Sequence, residues 1–537
     1  MLKNALLLLF GAAFAAQSAN ELRFCLRTEP KTFHPLLVED ESSETIRYLT
    51  GGVLVRLNRY TQELEGELAT GWRVSENGRR IDFDLRQNVQ FSDGTPFGCE
   101  DVAYTVRQLM DPALHSPVGD SFRSVPGATE TACSGSKATV RFPGPVAALA
   151  AQFDQVAILS ARSARKEGAV LGPFLVGEYK PGAYVELKRN PNYWKRDAQG
   201  RRLPYLDSIR LDIQQNRDLE LLRFRRGELD MVNKLDPDMY DRLAAENPHA
   251  VVDAGPSLDW EVVFFNQVAN APLPDYKRQW FRSAAFRRAI SEAIHRDDIV
   301  KVIYRGHAQA AVGPVSVSNH FWLNAALKPP TFSSGAALDR LAQDGFRRAG
   351  DALQDREGHR VEFSIVTNAG NKLHERTLAL IQQDLAKIGI QLNVVILDFP
   401  SLVERVTRSF NYEAALFAFT NMGLDPNDQM NIWPSSAVNH QWNPAQKAPE
   451  TAWEAEIDKL MQAETMAQDP KKRKADFDKV QQIVADQAPM IFLVNPNALS
   501  AVSPNLKNVT PALLRPQIYW NAERLAVSGG GALVSQK

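Results

Sequence analysis

The most regular hydrophobic pattern in the chain lies between residues 359 and 420. In the segment 374–388, apolar side chains recur every three to four positions and form one helical stripe of Leu378, Ile381, Leu385 and Ile388. Gly389 follows as a helix-ending residue. The predicted elements of this region, in order, are strand 359–368, helix 374–388, strand 391–399, helix 401–409 and strand 414–420. Strands that alternate with helices of this length predict parallel β-α-β units.

The rest of the chain alternates less regularly but still divides into elements. Residues 46–170 carry short strand patterns and a helix that starts near Asp101, which predicts an inserted α+β subdomain. The other predicted elements are strands 22–27, 184–189, 208–213 and 490–494 and helices 219–226, 453–467 and 472–486. The overall class is therefore α/β.

Two segments predict passages between separate lobes. The first is the polar segment 267–277, which follows the apolar run 262–265, and the second is strand 490–494. We therefore expect one lobe at 20–265 plus 496–537, which contains the inserted subdomain 46–170, and a second lobe at 266–495. At 537 residues the chain is long enough for several hydrophobic cores.

The first residues have the composition of a secretory signal. Lys3 precedes an apolar run at 5–16, and small residues follow, so we predict a signal peptide at 1–19. The run is shorter than the roughly 20 residues of a membrane span. We expect a soluble, exported mature protein.

Composition removes several classes of function. The 62 basic and 63 acidic residues leave a net charge of −1, which gives no electrostatic footprint for nucleic acid. The cysteines Cys25, Cys99 and Cys133 cannot all pair with one another, and their spacing does not choose between one disulfide and none.

Motifs for catalysis and for metal binding are absent from the sequence or incomplete. It contains no G-x-S-x-G elbow, no phosphate-binding P-loop and no C-x-x-C pair. His374-Glu375 begins like a zinc-protease helix but lacks the second histidine, so we interpret it as a solvated first helical turn. The Ser-x-x-Lys matches at 134–137 and 163–166 lack their partner motifs. We predict no catalytic residue, no cofactor and no metal site, although a single histidine contact to a metal-chelate solute stays open.

The segment 91–106, FSDGTPFGCEDVAYTV, resembles a signature of the periplasmic solute-binding proteins that serve oligopeptide, dipeptide and nickel ABC importers, the family 5 extracellular solute-binding proteins. Further segments resemble the same family in the expected order along nearly the whole mature chain. They are 177–194 (GEYKPGAYVELKRNPNYW), 204–207 (PYLD), 224–230 (FRRGELD), 265–266 (FN), 287–300, 313–315 (GPV) and 425–426 (DP).

The resemblance implies a two-lobe type II periplasmic binding protein fold with an extra inserted subdomain. It also implies a monomeric receptor that captures a peptide or peptide-like solute by hinge closure and delivers it to a permease and its ATPase. Two alternatives stay open. One is an exported hydrolase or peptide-processing enzyme on a related scaffold, and the other is a receptor or chaperone without an importer.

The resemblance also directs attention to the loop after strand 414–420. In family members that bind a peptide amino terminus, an aspartate four residues before the proline of an Asp/Glu-Pro pair takes the ammonium. Pro426 matches that proline, so the position is occupied by Met422, and the aromatic position before it is kept as Phe419. An arginine that holds the peptide carboxylate in some members would fall at Leu416. Because a thioether cannot stabilise a desolvated ammonium, the resemblance implies a solute other than a free peptide amino terminus.

Other predicted ligand-binding residues follow from position in the resemblance or from side-chain type. Acidic, imidazole and aromatic side chains near the expected cleft suit hydrogen bonding and stacking. They are Glu39, Asp40, His115, Asp425, Trp433, His440, Trp442 and Phe492. Packing within a single lobe is the competing interpretation for Met422 and for the aromatic loop that contains Trp433.

Overall fold

The computed structural model describes residues 20–119, 122, 127–165, 168–420, 422–444 and 446–528. The predicted signal peptide at 1–19 lies outside the described residues. The strands, in chain order, are β1 Glu21–Leu26, β2 Val55–Leu57, β3 Leu64–Gly66, β4 Ala69–Ser75, β5 Arg80–Leu85, β6 Glu130–Ser134, β7 Lys137–Arg141, β8 Phe174–Lys180, β9 Tyr184–Arg189, β10 Ser208–Ile213, β11 Met231–Val232, β12 Val251–Pro256, β13 Trp260–Phe265, β14 Ala308–Ala310, β15 Arg347–Ala349, β16 Ala352–Gln354, β17 Glu362–Asn368, β18 Gln391–Leu397, β19 Ala414–Phe419, β20 Met490–Val502, β21 Leu506–Lys507 and β22 Ala526–Val527.

The helices alternate with these strands. They are α1 Glu41–Thr50, α2 Cys99–Met110, α3 Leu149–Gln152, α4 Arg217–Arg225, α5 Pro237–Glu246, α6 Asp275–Arg282, α7 Ala284–Ala293, α8 Arg296–Asp298, α9 Ser334–Gln343, α10 Lys372–Lys387, α11 Phe399–Glu404, α12 Ala452–Met466 and α13 Pro470–Gln487.

The predicted β-α-β units are confirmed. Strand β17 pairs in parallel with both β18 and β19, and α10 connects β17 to β18. The apolar stripe of α10 is buried, as its spacing requires. Gly389 follows the helix with φ 83°, and its carbonyl accepts a hydrogen bond from the Leu353 N–H at 2.8 Å. A glycine is needed here because this positive φ strains other residues.

A four-stranded sheet, ordered β1-β10-β9-β8, forms the core nearest the amino terminus. Strands β1 and β10 are parallel, so their carboxyl ends meet at one edge of the sheet. Helix α1 packs on this sheet through buried residues that include Ile46 and Leu49. The free cysteine Cys25 is buried on β1, and burial, followed by the charge of Glu220, raises the pKa of its thiol to about 12.

The inserted subdomain is built on a second four-stranded sheet, ordered β4-β5-β7-β6, with α2 against it. The family-like segment 91–106 forms a turn and the start of α2, as predicted. The Asp101 carboxylate accepts hydrogen bonds from the N–H groups of Gly98 and Ala161, both at 2.8 Å. A disulfide joins Cys99 at the start of α2 to Cys133 on β6, a pairing that the sequence spacing did not choose.

The third sheet has eight strands and contains the longest strand of the described chain. Its main path is β11-β20-β13-β19-β17-β18, and β12 and β14 also pair with β20. We predicted a strand that ends at residue 494, but β20 continues to Val502. Its partners β12 and β14 extend it through the turn-like sequence at 495–497, because ladder hydrogen bonds outweigh local turn preference there.

Strand β13 lies close to the predicted boundary between the lobes, which stays a prediction. It pairs with β19 and β20, in the sheet of β17 and β18. The preceding strand β12 pairs with the other end of β20. Residues 257–259 therefore connect two strands that pair with opposite ends of β20. An apolar run shows that a strand is buried, but it does not show which sheet the strand joins.

Candidate functional site

Two short segments lie side by side. Residues 257–259 connect β12 to β13, and residues 495–497 form the middle of β20. Both are called connections below, because each joins the parts of the sheet at the two ends of β20. The Ser257 N–H donates to the Pro496 carbonyl at 2.9 Å. The Asn495 side chain is completely buried, and its amide donates to the Asp259 carbonyl at 3.0 Å. These bonds hold the two connections together, and side chains from both ends of the sheet converge around them.

One side of this region is cationic. Arg27 directly follows β1, and Arg217 begins α4 shortly after β10, so both leave the carboxyl edge of the parallel pair, the usual location of ligands in open α/β sheets. The Lys234 carbonyl accepts from both guanidinium groups, at 3.3 Å from Arg27 Nη2 and at 2.8 Å from Arg217 Nη2. Three cationic residues from separate segments are thereby brought to one edge.

Lys234 is the most strongly perturbed of these groups. Its Nζ lies 2.7 Å from Glu41 Oε1. Burial lowers the pKa of Lys234 to about 8; the charge of Arg515 also lowers this pKa, while Glu41 raises it. Arg515 in turn lies 2.6 Å from Asp259 in the first connection. Through Arg515 and Asp259, the cationic edge reaches the point where the two ends of the sheet meet.

Arg27 is partly enclosed by protein. Its side chain is open to solvent, yet protein surrounds it on the remaining sides, and this burial is the largest cause that lowers the pKa of Arg27. The repulsion of Arg217 lowers that pKa further. Arg27 makes no ion pair with any described residue, and its one side-chain hydrogen bond is the long contact to the Lys234 carbonyl.

The opposite side is apolar and aromatic. Trp260, the first residue of β13, is buried and stacks on Phe419, with ring centroids 4.8 Å apart and planes at 14°. On its other side it stacks on Trp433 at 6.4 Å, and Phe492 is tilted against it at 5.1 Å. Phe419 and Met422 are only half-buried and pack against this cluster. They form its outer surface.

The loop that carries Met422 is fixed by buried charges. Asp425 accepts from the Asn427 N–H at 2.9 Å and from Arg473 Nη1 at 2.9 Å. Arg473 also pairs with Glu464, which is completely buried, and burial raises the pKa of Glu464 to about 7. The Asp425 carboxylate is thus held by an arginine of its own part of the fold.

The aromatic cluster contains five of the predicted site residues: Phe419, Met422, Trp433, Trp442 and Phe492. Of these, Trp433 and Trp442 are completely buried and Phe492 is nearly so. These three side chains have almost no surface through which a solute could touch them in this conformation.

His440 is also completely buried. Its Nδ1 donates to the Ile432 carbonyl at 2.9 Å, and its Nε2 lies 3.3 Å from Glu454 Oε1. The loop of Trp433, His440 and Trp442 therefore packs on its own part of the fold, which was the competing interpretation.

The candidates nearest the amino terminus lie in two loops that meet. Asp40 caps α1, and its Oδ1 accepts from the N–H groups of Ser42 and Ser43 at 3.1 and 3.0 Å. Glu39 and His115 are exposed, and the Ser116 hydroxyl donates to the Leu36 carbonyl at 2.6 Å. That bond brings the loop of Glu39 to the loop of His115.

Sequence reasoning missed four residues of this region: Arg27, Lys234, Trp260 and Arg515. Arg27 carried a usable signal, because it ends the predicted strand 22–27 and ligands of α/β sheets bind at the carboxyl ends of strands. Lys234 and Arg515 carried none, since each lies far along the chain from the segments that they contact.

The sequence-based interpretation of His374 as a solvated first turn is wrong. His374 is buried, and its Nδ1 lies 2.8 Å from Thr367 Oγ1 while its Nε2 lies 2.7 Å from Glu261 Oε2. A hydroxyl, an imidazole and a carboxylate in series have the connectivity of a nucleophile and its base. Thr367 is completely buried, however, and also bonds to the Leu416 carbonyl at 3.2 Å, so its hydroxyl presents no surface to a substrate.

Two other features of the described chain lie away from this region. A cavity of about 290 Å³ adjoins Arg56, Tyr193 and Trp520, and across it Lys195 Nζ sits 2.6 Å from Glu67 and 2.9 Å from Glu523. Asp355, Glu357 and His359 bring their ligand-type atoms within 4.8 Å of one another, but Asp355 already accepts the Trp280 indole N–H and two turn N–H groups.

None of the helices in the described part of the chain combines the length and apolar composition that crossing a membrane requires.

Comparisons with known proteins show which family and which solved structures this chain resembles. Residues 63–441 match the profile of a family described as bacterial extracellular solute-binding proteins, family 5, middle. The oligopeptide-binding protein AppA of Bacillus subtilis is 23% identical over 498 residues, which cover 89% of this chain and 87% of that protein. The glutathione-binding protein GsiB of Salmonella typhi is 23% identical over 504 residues, which cover 92% of this chain and 93% of that protein. The crystal structure of NikA from Brucella suis in complex with Fe(III)-EDTA superposes with a TM-score of 0.78 and 18% identity, and covers 95% of this chain and 100% of that one.

Proposed function

The chain belongs to family 5 of the bacterial extracellular solute-binding proteins, and on this premise we propose that it captures a peptide or peptide-like solute between two lobes and delivers it to an ABC importer. The type II periplasmic binding protein fold that the resemblance implied is confirmed by the superposition on NikA. The family is one of solute-binding proteins, so catalysis is no part of this proposal.

In this proposal the lobes are residues 20–256 with 498–528, and residues 260–494. The connections 257–259 and 495–497 form the hinge between them. The pairing of β12 and β13 with opposite ends of β20 supports this division. Hinge closure around a solute is a common means by which binding proteins of this architecture trap their ligands.

The observation that carries the proposal is the meeting of two chemically different walls at these connections. The first-lobe wall is the cationic edge of Arg27 and Lys234, and the second-lobe wall is the aromatic surface of Phe419 and Met422. Pockets between domains are a common location for small-molecule sites, and an apolar wall with a few fixed polar groups is their usual composition. Of the two positions that the resemblance pointed to in this wall, Met422 carries no charge and Asp425 is paired with Arg473.

The remaining partners follow from the same premise. A permease and its ATPase would receive the solute, the binding protein would act as a monomer, and the predicted signal peptide would export it to the periplasm. The names of the relatives include proteins that bind oligopeptides, glutathione and a metal chelate. Peptide-like solutes are therefore the class to test first.

The test uses the mature protein with its native solute. Native mass spectrometry of freshly purified protein should reveal a bound small molecule, and denaturation followed by refolding should release it. Returning that molecule should then produce a saturable calorimetric signal and a change in tryptophan fluorescence, because Trp260 contacts the wall of the cleft. A protein that carries no solute and binds none from a peptide library would overturn the proposal.

A further inference from the structure

The hinge-side edge of the first lobe carries more positive than negative charge. Arg27 and Lys234 belong to a set of charged groups that contact one another or act on one another electrostatically, and the set comes from six separate parts of the chain. Four are cationic, Arg27, Arg217, Lys234 and Arg515, and three are carboxylates, Glu41, Glu220 and Asp259. The edge therefore has one positive charge in excess.

The carboxylates are already assigned to other cations. Glu41 holds Lys234 at 2.7 Å, Asp259 holds Arg515 at 2.6 Å, and Glu220 is bound by Arg217. This leaves Arg27 as the cation of the set without an ion pair among the described residues. Arginine exposes several N–H donors in a fixed plane that matches the two oxygens of a carboxylate.

The repulsion between Arg27 and its cationic neighbours favours binding of an anionic ligand. Protein surrounds Arg27 on most sides, and its nearest charged neighbours include Arg217, which repels it. Lys234 beside it has a lowered pKa, which shows that the edge disfavours further positive charge. An anion placed against Arg27 would relieve that repulsion and would replace hydration lost on lobe closure.

We propose that the captured solute carries an anionic group of the carboxylate type, which Arg27 and Lys234 bind at the carboxyl edge of the first sheet. This inference rests on the proposed function, because it places the anion in the same cleft. Arg27 supplies paired donors, and Lys234 supplies the ammonium donors that Glu41 leaves free. The apolar part of the solute then lies toward Phe419 and Met422 of the opposite wall.

The experiment compares pairs of probes that differ only in charge. Each pair is an N-acetylated tripeptide with a free carboxylate and the same peptide with a carboxamide, and the library includes aromatic and aliphatic side chains. Calorimetry should show that carboxylates bind roughly ten- to a hundredfold more tightly than carboxamides, the range expected for a hydrogen-bonded charge. Arg27→Gln should abolish most of that difference, because it should weaken carboxylate binding far more than carboxamide binding.

Lys31→Gln is the matched control, because it removes one positive charge from an exposed residue of the same loop. It should leave the carboxylate preference unchanged. Lys234→Gln is a second test variant, which should reduce the preference even if the Arg27 variant were to fold poorly. Circular dichroism and thermal unfolding would identify a folding defect in either variant.

The solute carried through purification separates this inference from the proposed function. An anionic molecule in native mass spectra, lost from Arg27→Gln but kept by Lys31→Gln, supports both. A neutral or cationic molecule supports capture of a solute but overturns the anionic site. Equal binding of carboxylates and carboxamides, or failure to bind any member of either set, also overturns the anionic site.

Discussion

At the scale of single residues, the two walls of the proposed cleft differ in how their chemistry is fixed. The Arg27 guanidinium donates to the Lys234 carbonyl and the Lys234 ammonium pairs with Glu41, so both charges stay near the proposed hinge. Met422 is held only by packing in an apolar cluster. The first wall therefore offers charge and the second offers apolar surface, and each property can be changed separately.

Because position 422 is a methionine, we predict that the affinity for a peptide does not depend on a free amino terminus. Wild-type protein should bind a tripeptide and its N-acetylated form with similar affinity, because Met422 carries no charge and Asp425 is already paired with Arg473. Met422→Asp should favour the free amino terminus by roughly ten- to a hundredfold, the worth of a hydrogen bond to a charged group. Calorimetry measures both affinities. Tight binding of free peptides that is abolished by acetylation and by Asp425→Asn would contradict this prediction.

Lys234 predicts a pH dependence of anion binding. Its pKa is lowered to about 8 by burial and by Arg515, so its charge is lost as pH rises through that value. Affinity for an N-acetylated carboxylate probe should therefore fall between about pH 7 and pH 9, while the probe itself stays ionised.

The charged groups that face Lys234 come from three directions: Glu41 from α1, Arg27 from the end of β1, and Arg515 with its partner Asp259 near the hinge. In Lys234→Met the fall in affinity over this pH range should disappear. A wild-type affinity that stays constant over the range would show that Lys234 does not contact the anion.

Substitutions of Trp433 and Phe419, which share one cluster, should have different effects: the first should mainly lower stability and the second should mainly weaken solute binding. Trp433 is completely buried, so Trp433→Ala should lower the free energy of unfolding by about 3–5 kcal/mol. Phe419 is half-buried, so Phe419→Ala should cost less stability and should weaken solute binding more. Urea unfolding and calorimetry separate the two effects. Loss of affinity in a Trp433→Ala protein of normal stability would return Trp433 to the binding site.

At the scale of secondary structure, β20 decides how the parts of the fold are joined. One half of it pairs with β13 and the other half with β12, and β14 pairs across its middle. Residues that alone resemble a turn, at 495–497, are thereby held extended. Elsewhere, individual helix ends are fixed by local geometry, and Gly389 at the end of α10 is the clearest case.

Replacing Gly389 by a residue with a Cβ should cause a steric clash in addition to backbone strain. A Cβ at this position would lie 2.8 Å from Leu353 N and 3.0 Å from Ala352 C, which are backbone atoms that cannot move aside easily. Gly370 is the matched control, because it has a similar φ of 80° but no atom within 4 Å of its Cβ position.

Gly370→Ala should cost about 1 kcal/mol of stability from the left-handed backbone alone. Gly389→Ala should cost roughly 1–3 kcal/mol more, since the crowded Cβ adds strain. Equilibrium urea unfolding measures both. Equal costs at the two positions would show that the neighbouring strand accommodates the methyl group.

At the scale of the whole molecule, the proposed lobes touch far from the hinge as well as at it. A Cβ at Gly78, in the inserted subdomain, would lie 2.1 Å from the side-chain nitrogen of Gln468, which connects α12 to α13. Near the hinge, His307 lies between Asp241 and Asp253, at 3.1 and 2.8 Å. In the proposed division these contacts join the two lobes at two separate places.

Closure of the proposed lobes around a solute should make the molecule more compact. Small-angle scattering should give a larger radius of gyration for protein stripped of solute by unfolding and refolding than for the loaded protein, because hinge opening separates Gly78 from Gln468. A bulky substitution such as Gln468→Trp should shift the loaded protein toward the larger radius. Identical scattering curves with and without solute would indicate a rigid molecule and would rule out trapping by hinge motion.

The sequence by itself determined those features that depend on local periodicity. The stripe of α10, the alternation of β17, β18 and β19 with helices, and the turn and helix start at 91–106 were all predicted because burial of one face imposes a fixed spacing on apolar residues. The family resemblance followed from the same kind of local evidence, since its motifs are short and occur in order.

Only the tertiary structure decided which residues meet. Arg27 and Lys234 lie 207 residues apart, and no local pattern links them. Trp433, His440 and Trp442 have the composition of a binding loop, yet all three are completely buried. An apolar or aromatic side chain has the same spacing whether it fills a core or lines a cleft, because both remove it from water. The three-dimensional arrangement of distant segments distinguishes the two.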